Sequence, residues 1–178
     1  MIKKERLLKL IAVMMLAIMS VAMLTGCGKN GKKNDGGDKA YLEPLKYYFD
    51  GIINKDLDTH LKSYPDFANK GNLITMADIE DLFKTYESQY GANIKIDYAF
   101  GDATKIEGDA YSELVGEITA AYKEVNKDDI KEIYDVPVTV NVEGDGLDQD
   151  NSENKEKAKG TEQHTFYVFK YKDSWYTI

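Results

Sequence analysis

Cysteine and arginine are almost missing from this sequence. Cys27 is the only cysteine among the 178 residues, and Arg6 is the only arginine. A chain with one thiol can form no internal disulfide, so its fold must depend on an apolar core. Proteins that bind nucleic acid usually present arginine on a basic face, whereas this chain has a net charge of −8. We therefore expect no nucleic-acid partner.

Motifs for metal, nucleotide and nucleophile chemistry are also missing. There is no cysteine pair, no closely spaced histidine pair, no glycine-rich phosphate loop and no nucleophile elbow. An EF-hand frame starting at Asn141 lacks the first aspartate and ends on Ser152, and one starting at Asp148 ends on Lys159. The sequence thus predicts no metal and no cofactor, although weak calcium association with this acidic segment stays open.

Only two histidines are available as a general base near neutral pH. His60 follows the pattern of a half-buried helix residue, and His164 that of a polar residue at a strand edge. Neither has an orienting partner with a specific spacing, so no catalytic residue is predicted. Asp97 alternates away from the apolar face of its strand, which argues against a catalytic role inside the fold.

The first residues have the pattern of an export signal. Four basic side chains lie between Lys3 and Lys9, and residues 10–24 carry no charge. This uncharged stretch is shorter than the ~20 residues that a membrane-spanning helix needs. It ends in Leu24, Thr25, Gly26 and Cys27, which resemble the lipobox of bacterial lipoproteins. The resemblance implies that Cys27 receives a diacylglyceryl group and becomes the N-terminus after cleavage.

Charge differs between the segments that follow. Residues 28–40 are rich in Gly, Lys, Asn and Asp and are typical of a flexible, mildly basic linker. Residues 41–178 contain 15 basic and 28 acidic residues and so carry a net charge of −13. We predict a signal peptide over 1–26, a lipidated cysteine and linker over 27–40, and one domain over 41–178. Its expected location is the outer face of a cell membrane, with a Gram-positive source favoured.

Helical patterns occupy the first half of the domain. Apolar residues recur at helical spacing over 41–54, and Asp56 is placed to cap a short helix that ends before Pro65. Thr75 and Asp78 have the spacing of a capping box, with Gly91 at the end of that helix. Another apolar stripe extends from Tyr111 to Val125.

Strand patterns dominate the second half. Apolar residues alternate over 94–100 and again from Tyr134 to Val142, where Pro137 points the other way and indicates an edge or a bulge. Residues 143–162 lack an apolar period and predict a long, mobile acidic loop. Strands over 165–171 and 175–178 follow, joined by a turn.

This order of elements predicts an α+β fold in which N-terminal helices pack on one face of a curved, mainly antiparallel sheet. The order resembles the cone-shaped fold of nuclear transport factor two and its cystatin-like relatives. The segments Tyr47-Tyr48-Phe49-Asp50, Asn54-Lys55-Asp56 and Lys172-Asp173-Ser174-Trp175-Tyr176 also look like small Gram-positive lipoproteins with that fold. The resemblance implies a domain that can serve as an enzyme, a carrier or a binding module.

Tyrosine is the most suggestive residue type in the domain, with 13 in the chain. Five of them fall on apolar faces and are candidate lining residues of a pocket for a small amphipathic or sugar-like ligand: Tyr48, Tyr86, Tyr98, Tyr122 and Tyr134. Filling of the core is the favoured alternative, because apolar stripes usually form cores.

Three functions remain open. The preferred one is a non-catalytic module that binds a protein or a small molecule and is attached to the bilayer through its covalent anchor. The second is a cone-fold enzyme acting on a small molecule in an aromatic pocket. The third is an envelope assembly or structural partner, which would require an exposed apolar patch from Tyr167, Phe169 and Tyr171.

Overall fold

The computed structural model describes residues 39–68, 74–147 and 157–178. Within these ranges the chain forms four helices and five strands, and residues 40–178 group as one unit. The elements are α1 Glu43–Ile53, α2 Leu57–Leu61, α3 Met76–Tyr90, β1 Lys95–Phe100, β2 Thr104–Lys105, α4 Gly108–Ala121, β3 Ile130–Gly144, β4 Ala158–Tyr171 and β5 Ser174–Thr177. A curled antiparallel sheet with helices confirms the predicted α+β class. None of the described helices is both long and apolar enough to span a membrane.

The predicted helix signals are where the sequence places them. The Asp56 carboxylate accepts a hydrogen bond from the Thr59 N–H at 3.1 Å and so caps α2. The Thr75 N–H donates to the Asp78 carboxylate at 2.7 Å, which is one arm of the capping box. Gly91 ends α3 with a φ of 84°, a conformation that glycine adopts without strain.

The sheet has the order β1-β3-β4-β5, and β2 pairs with β3 beyond the end of β1. Strand β3 is therefore central, and the prediction of an edge or a bulge at Pro137 is wrong. The sheet's irregularity lies between Ile130 and Glu132 instead. The Gly101 N–H donates to the Pro137 carbonyl at 2.7 Å. Since the N and O of one strand residue point to the same side, the proline nitrogen faces the gap between β1 and β2, where no N–H is needed.

Strict alternation along β3 separates two faces of the sheet. The inner face carries Val136, Val138, Val140 and Val142, each at most 4% exposed, which pack with Leu45 and Phe49 of α1. The outer face carries Ile133 and Phe169, which pack with Ile118 of α4. The N-terminal helices α1 and α3 thus pack on the inner face, as expected. Helix α4, which follows β2 in the chain, packs on the outer face instead.

The loop predicted over residues 143–162 is wrong at both ends, and its residues 148–156 lie outside the described ranges. Strand β4 already begins at Ala158, and its register pairs Gly144 with Ala158 and Val140 with Glu162. The first half of β4 contains Lys, Gly, Thr, Glu and Gln without an apolar alternation, so its strand character was not visible. Pairing with the strongly alternating β3 organises this polar segment.

Gly51 allows α1 and α2 to approach each other closely. A Cβ atom at this position would lie 2.3 Å from the His60 backbone nitrogen. We predict that Gly51→Ala destabilises the fold by about 1–3 kcal/mol, because the backbone of α2 must move to remove the clash. Urea unfolding followed by circular dichroism measures the difference.

Gly116→Ala is the matched control, because Gly116 is also helical and its added Cβ would have no neighbour within 4 Å. This variant should be more stable than the wild type by about 0.5–1 kcal/mol through helix propensity alone. Equal effects of the two substitutions would contradict the proposed close approach of the helices.

Candidate functional site

Three polar side chains meet on the inner face beside the valines of β3. Glu162 and His164 of β4 lie directly opposite Val140 and Val138 of β3, so they point to the same side as these valines. The Glu162 carboxylate accepts hydrogen bonds from the Tyr86 hydroxyl at 3.3 Å and from His164 Nε2 at 3.2 Å. We call Tyr86, Glu162 and His164 the polar cluster.

The polar cluster is close to solvent without being fully exposed. The Glu162 side chain is 11% exposed and that of His164 is 19% exposed. Burial, together with the Glu162 charge, holds the pKa of the Tyr86 hydroxyl well above its usual range. The phenol therefore stays protonated at neutral pH and acts as a donor to the carboxylate. Tyr90, one helical turn further, lies over Gly160 and closes this end of the face.

The second ring nitrogen of His164 is open to a ligand. With Nε2–H directed at Glu162, Nδ1 is an acceptor when the ring is neutral and a donor when it is protonated. No described residue makes a hydrogen bond to Nδ1, and none of the described residues has a buried side-chain nitrogen or oxygen without a partner. Solvent must therefore reach Nδ1. The arrangement can accept a hydrogen bond or a proton from a bound molecule.

Glu162 was missed as an orienting partner of His164. The two residues are separated by one position, and this spacing places both side chains on one face of a strand. Assigning residues up to 162 to a loop concealed that relation. His164 lies in the middle of β4, and among the described residues this part of the strand has no partner on the edge away from β3, since β5 pairs only with Val168–Tyr171.

The five candidate pocket tyrosines do not share one site. Four pack with the inner-face cluster, whereas Tyr122 packs with the outer-face cluster around Ile118. Tyr48 contacts the rings of His60 and Phe166, and burial raises its pKa to about 12. Of the five, Tyr86 alone belongs to the polar cluster.

The remaining two inner-face tyrosines lie far apart, since Tyr98 of β1 faces Val140 and Tyr134 lies near the other end of β3. The Tyr98 ring stacks on Phe49, and its hydroxyl donates to the Asp50 carboxylate at 2.9 Å. Tyr134 stacks on Tyr41 with ring centroids 4.8 Å apart. These rings fill space between helix and sheet and direct their hydroxyls outward, which supports the core interpretation.

Two residues of the calcium frame that begins at Asn141 are engaged in the structure. Glu143 forms ion pairs with Lys157 and Lys159, and their hydrogen bonds lower its pKa to about 2. Asn141 lies within β3 and accepts a hydrogen bond from the Thr161 hydroxyl at 2.9 Å. The calcium frame that begins at Asn141 therefore starts in a strand, and the described residues contain no group of three metal-ligating side chains.

The aromatic patch required by the assembly hypothesis is absent from the described surface. Phe169 is fully buried, while Tyr167 and Tyr171 are only partly exposed. Among the described residues, Leu147 is the only large apolar side chain that is mostly exposed, at 51%.

No family model matches this chain, and no curated protein or solved structure is significantly similar to it.

His60 is more deeply buried than its sequence pattern indicated, at 4% exposure. Its Nδ1 lies 2.9 Å from the Tyr48 carbonyl and donates to it in the tautomer that satisfies this oxygen. Burial lowers the pKa of the imidazole, and the hydrogen bond to Tyr48 opposes that shift only in part. The folded protein therefore holds His60 in its neutral form.

The pKa of His60 predicts how stability depends on pH. Because the folded pKa lies below the unfolded value of about 6.5, the unfolded chain binds the extra proton first. The contribution of His60 is complete above pH 6.5 and is lost as the pH falls towards the folded pKa. Urea unfolding at pH 7.5 and 5.5 should show a smaller loss for His60→Gln than for the wild type. An equal loss in both proteins would contradict this prediction.

Proposed function

We propose that this chain is a membrane-anchored extracytoplasmic lipoprotein whose domain is a non-catalytic binding or interaction module. The observation that carries the anchor is Leu24-Thr25-Gly26-Cys27 after a basic start and an uncharged apolar stretch. These residues lie outside the described ranges. Attachment follows from the chemistry of the one thiol, which is the soft nucleophile available to accept a lipid group.

We also propose that the domain belongs to the cone-shaped, cystatin-like class. In support, α1 and α3 cross the inner face of a curled antiparallel sheet. In this arrangement the helices and the sheet enclose the space in which related folds hold a ligand. Here that space is largely occupied by valine and aromatic side chains.

The polar cluster is the proposed binding site of the module. It is the place on the inner face where a carboxylate, a phenol and an imidazole converge while remaining accessible to solvent. A few convergent polar groups beside an apolar wall are typical of small-molecule sites. The linker would hold this site near the membrane surface, while the charge of −13 on residues 41–178 keeps the domain from adhering to anionic lipids.

The anchor has a direct test. Mass spectrometry of the mature protein from bacterial membranes should identify Cys27 as a lipid-modified N-terminus. Cys27→Ala should remain uncleaved and lack the lipid mass, because alanine has no thiol for acylation. A mature wild-type protein that begins at Met1, or a Cys27→Ala variant that still carries the lipid, would disprove the proposal.

An enzyme of the cone-fold type is the second candidate, and the solvent-accessible Nδ1 of His164 favours it. A carboxylate-oriented imidazole can remove a proton from a bound substrate, with Glu162 stabilising the resulting imidazolium. Catalysis requires His164 to take a proton from the substrate, whereas binding does not. Substitution of His164 can therefore distinguish the two candidate functions.

A thermal-shift screen with a library of small polar metabolites separates these functions. For either function, a compound that raises the melting temperature of the wild type should have a reduced effect on Tyr86→Phe, which removes one polar group and keeps the ring. For an enzyme, chromatography should also show that the wild type converts the compound and that His164→Asn does not. Binding without conversion supports the module, and an undiminished shift in Tyr86→Phe would exclude the polar cluster as the site.

A further inference from the structure

Part of β4 has an unpaired edge. Strand β5 pairs with β4 only from Val168 to Tyr171, and the Ile178 N–H donates to the Tyr167 carbonyl at 3.1 Å. N-terminal to Tyr167, no described residue makes a backbone hydrogen bond to the edge of β4 that faces away from β3. Residues 159–165 therefore present an open strand edge in the described part of the chain, and we call this segment the β4 edge.

The backbone groups at this edge belong to every second residue. Because the Tyr167 carbonyl faces the side of β5, the residues two, four and six positions earlier direct their N–H and C=O groups to the same side. These residues are Thr165, Gln163 and Thr161, and their side chains are exposed on the outer face. Glu162 and His164 lie between them and point to the inner face.

The β4 edge is complementary to a second copy of itself. An antiparallel pair of identical strands has a two-fold axis, so the residue at its centre faces its own copy. When Gln163 is at the centre, Glu162 of each copy faces His164 of the other copy. In the same way, Thr161 of each copy faces Thr165 of the other. Each Glu162 then has imidazole neighbours on its own strand and across the seam, and a protonated His164 can donate Nε2–H to one carboxylate and Nδ1–H to the other.

Neighbouring registers are less favourable. A centre at Glu162 places two carboxylates directly opposite each other, which is destabilising. A centre at His164 places two imidazoles together and shortens the seam, because Thr161 instead of Lys159 then faces Tyr167, whose carbonyl is already bonded to Ile178. A centre at Thr161 leaves Glu162 facing Gly160 and without a partner across the seam.

We propose that two copies of this chain associate by antiparallel pairing of their β4 edges with Gln163 at the two-fold axis. The sheet then continues from one copy into the other, and the Glu162 and His164 side chains of both copies form one cluster of alternating carboxylate and imidazole. Only a short seam is formed, so the association is weak in dilute solution. Anchoring both copies to one membrane raises their effective concentration, and this part rests on the proposed function.

Cysteine cross-linking tests the register. In the mature lipoprotein the thiol of Cys27 carries lipid, so a cysteine introduced into β4 is the single free thiol. Facing residues of a hydrogen-bonded antiparallel pair have Cα atoms about 5.5 Å apart, which lies within the range for a disulfide. In proteoliposomes treated with a mild oxidant, Gln163→Cys should give a disulfide-linked dimer on a non-reducing gel.

Two variants at adjacent exposed positions serve as matched controls. Thr161→Cys alone should cross-link at least tenfold less than Gln163→Cys, because each Thr161 faces Thr165 of the other copy. A mixture of Thr161→Cys and Thr165→Cys proteins should form the mixed dimer. Equal cross-linking of Thr161→Cys and Gln163→Cys would overturn the register, and no dimer from folded Gln163→Cys, or an adduct with another protein instead, would overturn the second copy as occupant.

An exchange of Glu162 and His164 tests the chemistry of the seam. In the Gln163→Cys background, Glu162→His should lower the dimer yield because two pairs of imidazoles then face each other. Adding His164→Glu restores the alternating pairs and should restore the yield, with circular dichroism confirming the fold of each variant. A yield that stays low in the double exchange would overturn the proposed contact.

A failed anchor can be distinguished from a failed seam. The Cys27→Ser, Gln163→Cys protein carries no lipid, and its cross-linking can be followed in detergent solution as its concentration is raised. A dimer that forms only at high concentration supports the seam whether or not the wild-type cysteine is lipidated. The absence of a dimer at every concentration would overturn the seam and leave the anchor untouched.

Discussion

The antiparallel pairing of β3 with β4 is the interaction on which the rest of the structure depends. It extends from Ile130 and Tyr171 to Gly144 and Ala158 and connects all other strands to one sheet. Because strand side chains alternate, a shift of one residue in this pairing would move the inner-face valines into solvent. The free-energy cost of exposing these valines maintains the register, and the register positions every polar residue on β4.

This register places a carboxylate and an imidazole where a core would otherwise be completed by apolar side chains. Glu162 and His164 face the valines of β3, and Tyr86 of α3 supplies a hydroxyl from the opposite side. A half-buried carboxylate requires hydrogen-bond donors, and Tyr86 and His164 provide them for Glu162. Within the described ranges, the N-terminal part of β4 has no partner on the edge away from β3, so one segment carries both the polar cluster and the proposed seam.

Local signals predicted the helices and the strongest strands correctly. Asp56 and Thr75 act through partners three residues away, and the alternation along β3 repeats within one element. Long-range relations were not predicted. Pro137 is tolerated in a central strand because its neighbouring strand has ended, and α4 covers the outer face because Ile133 and Phe169 form an apolar surface there. Neither fact can be read from a window of adjacent residues.

The sequence by itself determined the α+β class, the helix caps, the alternation of β3 and the prediction of lipidation at Cys27, because each depends on residue types at short spacing. Only the tertiary structure decided which tyrosines fill the core and that Glu162 joins Tyr86 to His164. Tyr86 and Glu162 are 76 positions apart in sequence. Their contact exists because α3 packs across a sheet whose register is determined by burial of apolar side chains on a different strand.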